Sequence, residues 1–230
     1  MDVNGFRVAA ECRAAGGLLG GDFYRLSPHA PGRIGVVIGD TCGQGARAAA
    51  YLATVRPTLD ELTQSKASPA EILSELNRVA ARTLPLDCFI TAAAFEFDAE
   101  AGVVTIANAG HVPGIVRGAS GLVSIVGNAS GPPLGIEPES KYENEYYELR
   151  RGDVVVMMTD GLLEAIEKDL WSMETVRNWL SEAPGEAGSV HRLLLGKLDA
   201  CVARRFMDDV TLVTLEASYD GHRVSALPLQ

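Results

Sequence analysis

The chain has 230 residues, 47% apolar and 22% charged, with a formal net charge of −10, enough for one large domain or two small ones with a substantial core. An acidic chain without a basic patch argues against nucleic-acid binding and against attraction to anionic membranes. No apolar stretch is long enough to insert in a membrane and no signal peptide is visible; the four scattered cysteines, with no Cys-x-x-Cys pair, read as reduced thiols, so a cytoplasmic location is expected.

Residues 6–12 read as a strand, followed by a small-residue turn through Gly21. Residues 33–39 are a short apolar run, expected to be a buried strand. From Gln44 to about Thr63 the pattern turns helical, with Leu52, Val55, Leu59 and Leu62 on an Ala-rich background; Pro57 should kink or divide it. Ser68-Pro69-Ala70-Glu71 is a capping box with proline at the first helical position, and Ile72, Leu73, Leu76, Val79 and Ala80 continue at helical spacing. Strands are expected at 89–97 and 103–107 around a turn at 98–102, then at 114–116, 122–126, 142–149 and 154–159. Helices return at 172–180 and 189–204, and a last strand covers 210–215. Runs of each type, rather than strict alternation, indicate an α+β layered fold. Residues 1–216 read as one domain, and 217–230 as a tail whose structure the pattern leaves open.

Four aspartates stand where these runs meet turns. Asp22 lies in Gly-Gly-Asp-Phe-Tyr, Asp40 ends Ile34-Gly-Val-Val-Ile-Gly-Asp, Asp160 follows Val154-Val-Val-Met-Met-Thr, and Asp208 precedes the last strand. A strand interior disfavours Asp, so each carboxylate is held at a strand end. Like charges brought together there are costly unless cations sit between them, and hard oxygen donors suit Mg²⁺ or Mn²⁺.

Each piece also has a plainer reading. Asp40 can be a helix cap, Asp160-Gly161 a common turn pair, and Asp208-Asp209 a solvated turn. The turn after Asp40 lacks the Gly-Lys-Ser/Thr of a Walker loop. Four residues separate Cys42 from Arg47 where a cysteine phosphatase needs five, so that loop would not close on a phosphate. Asn108-Ala-Gly-His111 is either a tight turn with a hydrogen-bonded His or a source of a ligand or general acid. His29, His191 and His222 have no patterned partners and read as surface or packing residues.

Taken in order, Gly-Gly-Asp-Phe-Tyr, Ile-Gly-Asp-x-x-Gly-x-Gly, Ala-Asn-Ala-Gly-His, Pro-Leu-Gly, Gly-Asp-x5-Thr-Asp-Gly-x-x-Glu and Asp-Asp-x-Thr closely resemble the SpoIIE-type catalytic domain of the PPM metal-dependent protein phosphatases, from about Val8 to Leu215. The resemblance implies a four-layer α-β-β-α sandwich, two antiparallel sheets flanked by helix pairs. It implies two Mn²⁺ or Mg²⁺ ions, with Asp40 bridging both, Asp160 and Asp208 completing one site, and Asp22 serving the other with the backbone carbonyl of Thr41. The choice of Asp208 over Asp209 follows the family's first-position ligand. The implied reaction is hydrolysis of phosphoserine or phosphothreonine by water that the metals activate. The implied partner is a phosphorylated STAS-type anti-anti-sigma factor in bacterial partner switching. Helices 44–64 and 69–82 correspond to a switch surface for an upstream sensor domain or a homodimer.

The chain departs from the family pattern at Asp40-Thr-Cys-Gly-Gln-Gly45, where Asp-Val-Ser-Gly-His/Lys-Gly is usual. Cys42 stands where eukaryotic relatives carry a His proposed as general acid, which leaves that role unassigned. Arg25 replaces a commonly acidic residue and reads as a surface Arg or a substrate contact. Two rival functions follow: a catalytically weak or inactive module of the same fold that binds a phosphoprotein, and a metal hydrolase of a small phosphoester.

Overall fold

The structure is a computed structural model, and it describes residues 1–15, 20–65, 67–166, 173–201 and 208–218. Among these residues eleven strands form two antiparallel sheets. The first sheet runs β1 (Asp2–Val3), β2 (Phe6–Arg13), β11 (Val210–Ala217), β10 (Val154–Met158), β7 (Gly114–Arg117) and β8 (Val123–Val126). The second runs β3 (Phe23–Ala30), β4 (Arg33–Thr41), β5 (Ile90–Asp98), β6 (Val103–Ala109) and β9 (Glu145–Glu148). Helices α1 (Gly45–Leu62) and α2 (Pro69–Thr83) cover the outer face of the second sheet. Helices α3 (Asp160–Ile166), α4 (Met173–Ser181) and α5 (Ala187–Cys201) cover that of the first. The result is the expected α+β sandwich of four layers, α-β-β-α, with the short α3 added to one helical layer.

Alternation along each strand explains the layers. In β4, Ile34, Val36 and Ile38 face the space between the sheets, while Val37 faces α1 and α2. A strand covered on both faces has to be apolar on both, and this one is. In β5, Phe95 and Phe97 fill the space between the sheets, where Phe6 meets Phe97 edge-on at 5.9 Å between ring centroids. On its other face Ala92 and Ala94 are small, which lets the helix pair sit close. The turn after β5 is held by Asp98, whose Oδ1 accepts from the amides of Glu100 and Ala101 at 3.0 and 2.9 Å.

Helix α2 starts as the capping box requires: Ser68 Oγ accepts from the Glu71 amide, and Glu71 Oε2 accepts from the Ser68 amide at 2.8 Å. Pro57 does not divide α1, which runs unbroken from Gly45 to Leu62. Proline removes one hydrogen bond to the preceding turn. Val55 and Leu59, on either side of it, are buried under the helix and hold the two halves in line.

Several elements differ from expectation, α3 among them. β3 was not expected as a strand, because Arg25, Ser27, Pro28 and His29 break its apolar pattern; it lies at the sheet edge, where proline costs no ladder bond on the open side. The strand expected at 142–149 is confined to Glu145–Glu148. The last strand extends through Ala217, and residues 219–230 lie outside the described residues, as do 202–204 of the expected helix 189–204. No helix among the described residues is long and apolar enough to cross a membrane.

Candidate metal centre

Antiparallel pairing brings the four aspartates to one end of the sandwich. Asp22 immediately precedes β3 and Asp40 is the penultimate residue of β4; the strands pair with Phe23 opposite Gly39, so both carboxylates leave the second sheet at the same end. In the first sheet, β10 and β11 pair with Met158 opposite Leu212. The chain beyond β10 enters Thr159 and Asp160, and the chain before β11 carries Asp208 and Asp209. Asp160 is the first residue of α3 rather than a turn residue.

Hydrogen bonds tie the two sheets together here. The Thr159 hydroxyl donates to Asp22 Oδ2 at 2.7 Å and accepts from the Thr211 amide at 2.9 Å. Both threonines are fully buried. The Thr41 amide donates to the Gly21 carbonyl at 3.3 Å. A Cβ on Gly21 would lie 2.7 Å from the Thr41 carbonyl oxygen and 3.0 Å from Asp40 Oδ1. Only glycine permits that approach, and it sets Asp22 beside Asp40 and Thr41.

Electrostatics mark this end as a place for cations. Burial pushes the Asp40 carboxyl up to about 8, and the charges of Asp22, Asp160, Asp208 and Asp209 push it the same way. Burial raises Asp22 to about 7, against the Thr159 hydrogen bond and with Asp209 and Asp160 adding to the rise. Asp208 is also raised, first by burial. Among the described residues no group donates a hydrogen bond to the Asp40 carboxylate. An all-carboxylate donor set with a backbone carbonyl beside it fits Mg²⁺ or Mn²⁺. Among the described residues no three acidic, His or Cys side chains yet converge on one point, so an arriving cation would have to draw them together.

These shifts predict an unusual pH dependence. The folded, metal-free protein holds protons on Asp22 and Asp40 more tightly than the unfolded chain, whose carboxyls titrate near 3.8. Stability present below about pH 4 is therefore lost as pH rises through about 7 to 8. Melts in chelator should fall by roughly 5 °C or more between pH 5 and 9, each kcal/mol being worth about 2–4 °C at this chain length. Saturating Mn²⁺ should remove the fall.

Other candidates resolve differently. Burial raises the Cys42 thiol, whose Sγ accepts from the Phe89 amide at 3.3 Å. Arg47 turns to Tyr51, donating from Nε to its hydroxyl at 2.8 Å. Neither is arranged as a phosphate loop. His111 is buried in its turn, its amide donating to Asn108 Oδ1 at 2.7 Å and its Nδ1 lying 2.9 Å from Thr91 Oγ1. Burial lowers it to about 4, so it is neutral and structural. His29 sits 3.0 Å from the Thr63 carbonyl and His191 packs 3.3 Å from Thr214 Oγ1; His222 lies outside the described residues. Arg25 pairs with Asp60 of α1 at 3.3 Å. Sequence reasoning missed Thr159 and Asp209 as organising groups; Thr159 is hidden because a Thr closing an apolar strand looks like ordinary strand composition.

Comparison with known proteins identifies the family and the fold. The model of the family described as Stage II sporulation protein E (SpoIIE) matches residues 30–218. The chain is 28% identical over 164 residues to "Phosphoserine phosphatase RsbU" of Bacillus subtilis (strain 168), covering 71% of this chain and 47% of RsbU. It thus spans less than half the length of this and the other curated relatives considered. Among solved structures, the RsbU and RsbW domains of Rv1364c from Mycobacterium tuberculosis superpose with a TM-score of 0.82 at 25% identity, over 94% of this chain and 62% of that one. The catalytic domain of the serine/threonine protein phosphatase PstP, in complex with two manganese ions, superposes with a TM-score of 0.63 at 18% identity, over 92% of this chain and 97% of that one. The chain belongs to the SpoIIE family and has the fold of the PP2C-type (PPM) phosphatase domains.

Proposed function

We propose that this domain is a metal-dependent protein phosphatase that hydrolyses phosphoserine or phosphothreonine on a partner protein, and that the partner is a STAS-type anti-anti-sigma factor. The observation that carries this reading is that strand ends from both sheets bring carboxylates to one end of the sandwich around Asp40, which burial pushes up to about 8. Asp40 would bridge two Mn²⁺ or Mg²⁺ ions, Asp22 and the Thr41 carbonyl would hold one, and Asp160 and Asp208 the other. Bound cations of this kind acidify water and offset charge on a phosphoryl group. The chain's own residues supply position. The Thr159 hydroxyl fixes one oxygen of Asp22, and Gly21 lets Asp22 approach Asp40. The half-buried thiol of Cys42, its pKa raised, is a poor nucleophile, so attack by water is the reading its environment supports. The relative named phosphoserine phosphatase and the manganese-bound neighbour support the substrate and the metal. The outer faces of α1 and α2 are the proposed docking surface for a sensor domain or a second copy.

With Mn²⁺ present, a phosphoserine-bearing STAS protein should be dephosphorylated with kcat/KM at least 100-fold above that for a panel of small phosphoesters. Turnover of small esters alone would replace this reading with that of a small-molecule hydrolase. Stable binding of the phosphoprotein without turnover would make the domain an inactive binding module.

A further inference from the structure

Asp208 and Asp209 carry the same side chain in adjacent positions, yet their surroundings differ. Asp209 is buried, 7% exposed, and both its oxygens are taken: Oδ1 accepts from the Ala15 amide at 2.8 Å and Oδ2 from the Gly21 amide at 2.7 Å. Asp208 is more open, and its Oδ1 accepts from the Asp209 amide at 2.8 Å. Three glycines of the site also close on Asp209. A Cβ on Gly20 would lie 2.2 Å from Asp209 Oδ2, and a Cβ on Gly161 would lie 1.8 Å from the Asp209 carbonyl oxygen. Gly21 gives it the amide. Asp209 is therefore in contact with the residue before or after two of the candidate ligands, Asp22 and Asp160, and is bonded through the chain to a third, Asp208.

We propose that Asp209 is a positioning residue and not a metal ligand: it accepts the Ala15 and Gly21 amides and so sets Asp22 and Asp160 in register with Asp208. This inference rests on the proposed metal centre. A carboxylate that satisfies one buried and one part-buried amide has a lone pair of each oxygen engaged, and swinging it away onto a cation would orphan both donors. Its charge still lies near Asp40 and Asp22, which adds to the field for a cation without direct contact. On this reading Gly20, Gly21 and Gly161 are small so that two loops and one helix start can press against a single side chain.

The test compares Asp209→Ala, Asp209→Asn and Asp208→Asn by two measurements. Amide hydrogen exchange in the metal-free protein should accelerate at least tenfold at Ala15 and Gly21 in Asp209→Ala and remain at the wild-type rate in Asp208→Asn. Asp209→Asn keeps one carbonyl oxygen, so it should release one of the two amides and recover part of the loss; it also serves if the alanine variant does not fold. Calorimetric titration with Mn²⁺ should show wild-type stoichiometry with about 10–100-fold weaker affinity in both Asp209 variants, and one fewer bound ion in Asp208→Asn. Loss of one ion in Asp209→Asn, or wild-type exchange at both amides in the Asp209 variants, would overturn the proposal. Wild-type Mn²⁺ binding in Asp208→Asn would instead overturn the metal assignment while leaving the exchange result to stand on its own.

Discussion

Asp40→Asn is expected to lower Mn²⁺-dependent phosphatase turnover by more than about 10³-fold, beyond the loss seen when a single fixed transition-state donor is removed, while making the metal-free fold more stable at high pH. The two effects have one origin. Burial raises Asp40 to about 8, and the charges of Asp22, Asp160, Asp208 and Asp209 push it the same way. At pH 9 the metal-free wild type carries that charge in a field of like charges, and asparagine removes it at nearly constant volume. Thermal melts in chelator at pH 9 should therefore be higher for Asp40→Asn, and the loss of stability between pH 5 and 9 should be shallower than in wild type. A variant that is better folded and inactive separates loss of chemistry from loss of structure. An inactive variant that melts lower than wild type at pH 9 would mean that Asp40 is structural.

Gly161→Ala should be nearly as damaging for a different reason. Gly161 is not in the left-handed region, so alanine meets no backbone penalty. The obstacle is steric: the new Cβ would lie 1.8 Å from the Asp209 carbonyl oxygen and 2.9 Å from its carbonyl carbon. Backbone cannot swing aside as a side chain does, so the start of α3 must move and carry Asp160 with it. Overpacking of this kind costs about 3 kcal/mol, or roughly 6–12 °C in melting temperature at this chain length. Displacing this proposed ligand by about 1 Å should also lower kcat/KM by about 100-fold. Gly196→Ala is the matched control. That glycine lies in α5 with nothing within 4 Å of a new Cβ, and the substitution should leave the melt unchanged or raise it slightly, since alanine favours helix by about 0.5–1 kcal/mol. Equal behaviour of the two variants in melts and kinetics would refute the close-packing account.

What could be read before folding and what could not have physical reasons. β4 and α2 were legible because local signals agreed with their tertiary surroundings: an apolar run covered on both faces, and a capping box ahead of a helical repeat. β3 was hidden because an edge strand tolerates Arg25, Ser27, Pro28 and His29, which tertiary contacts with α1 and its following turn then accommodate. α3 was hidden because Asp160-Gly161 reads locally as a turn, whereas here Asp160 favours a helix start and Gly161 is small for the sake of Asp209. Pro57 is expected from the sequence to kink or divide the helix, yet α1 runs unbroken through it with Val55 and Leu59 buried on either side. The positions of the carboxylates were legible from their order along the chain. The difference between Asp208 and Asp209 was not, because it depends on amides nearly two hundred residues away in sequence.

Anomalous diffraction from crystals soaked in Mn²⁺ would locate the ions themselves. Two peaks are expected at the end of the sandwich, with Asp40 between them, Asp22 and the Thr41 carbonyl against one, and Asp160 and Asp208 against the other. A cleft without peaks at saturating Mn²⁺, or peaks ligated by Asp209 in place of Asp208, would contradict this assignment.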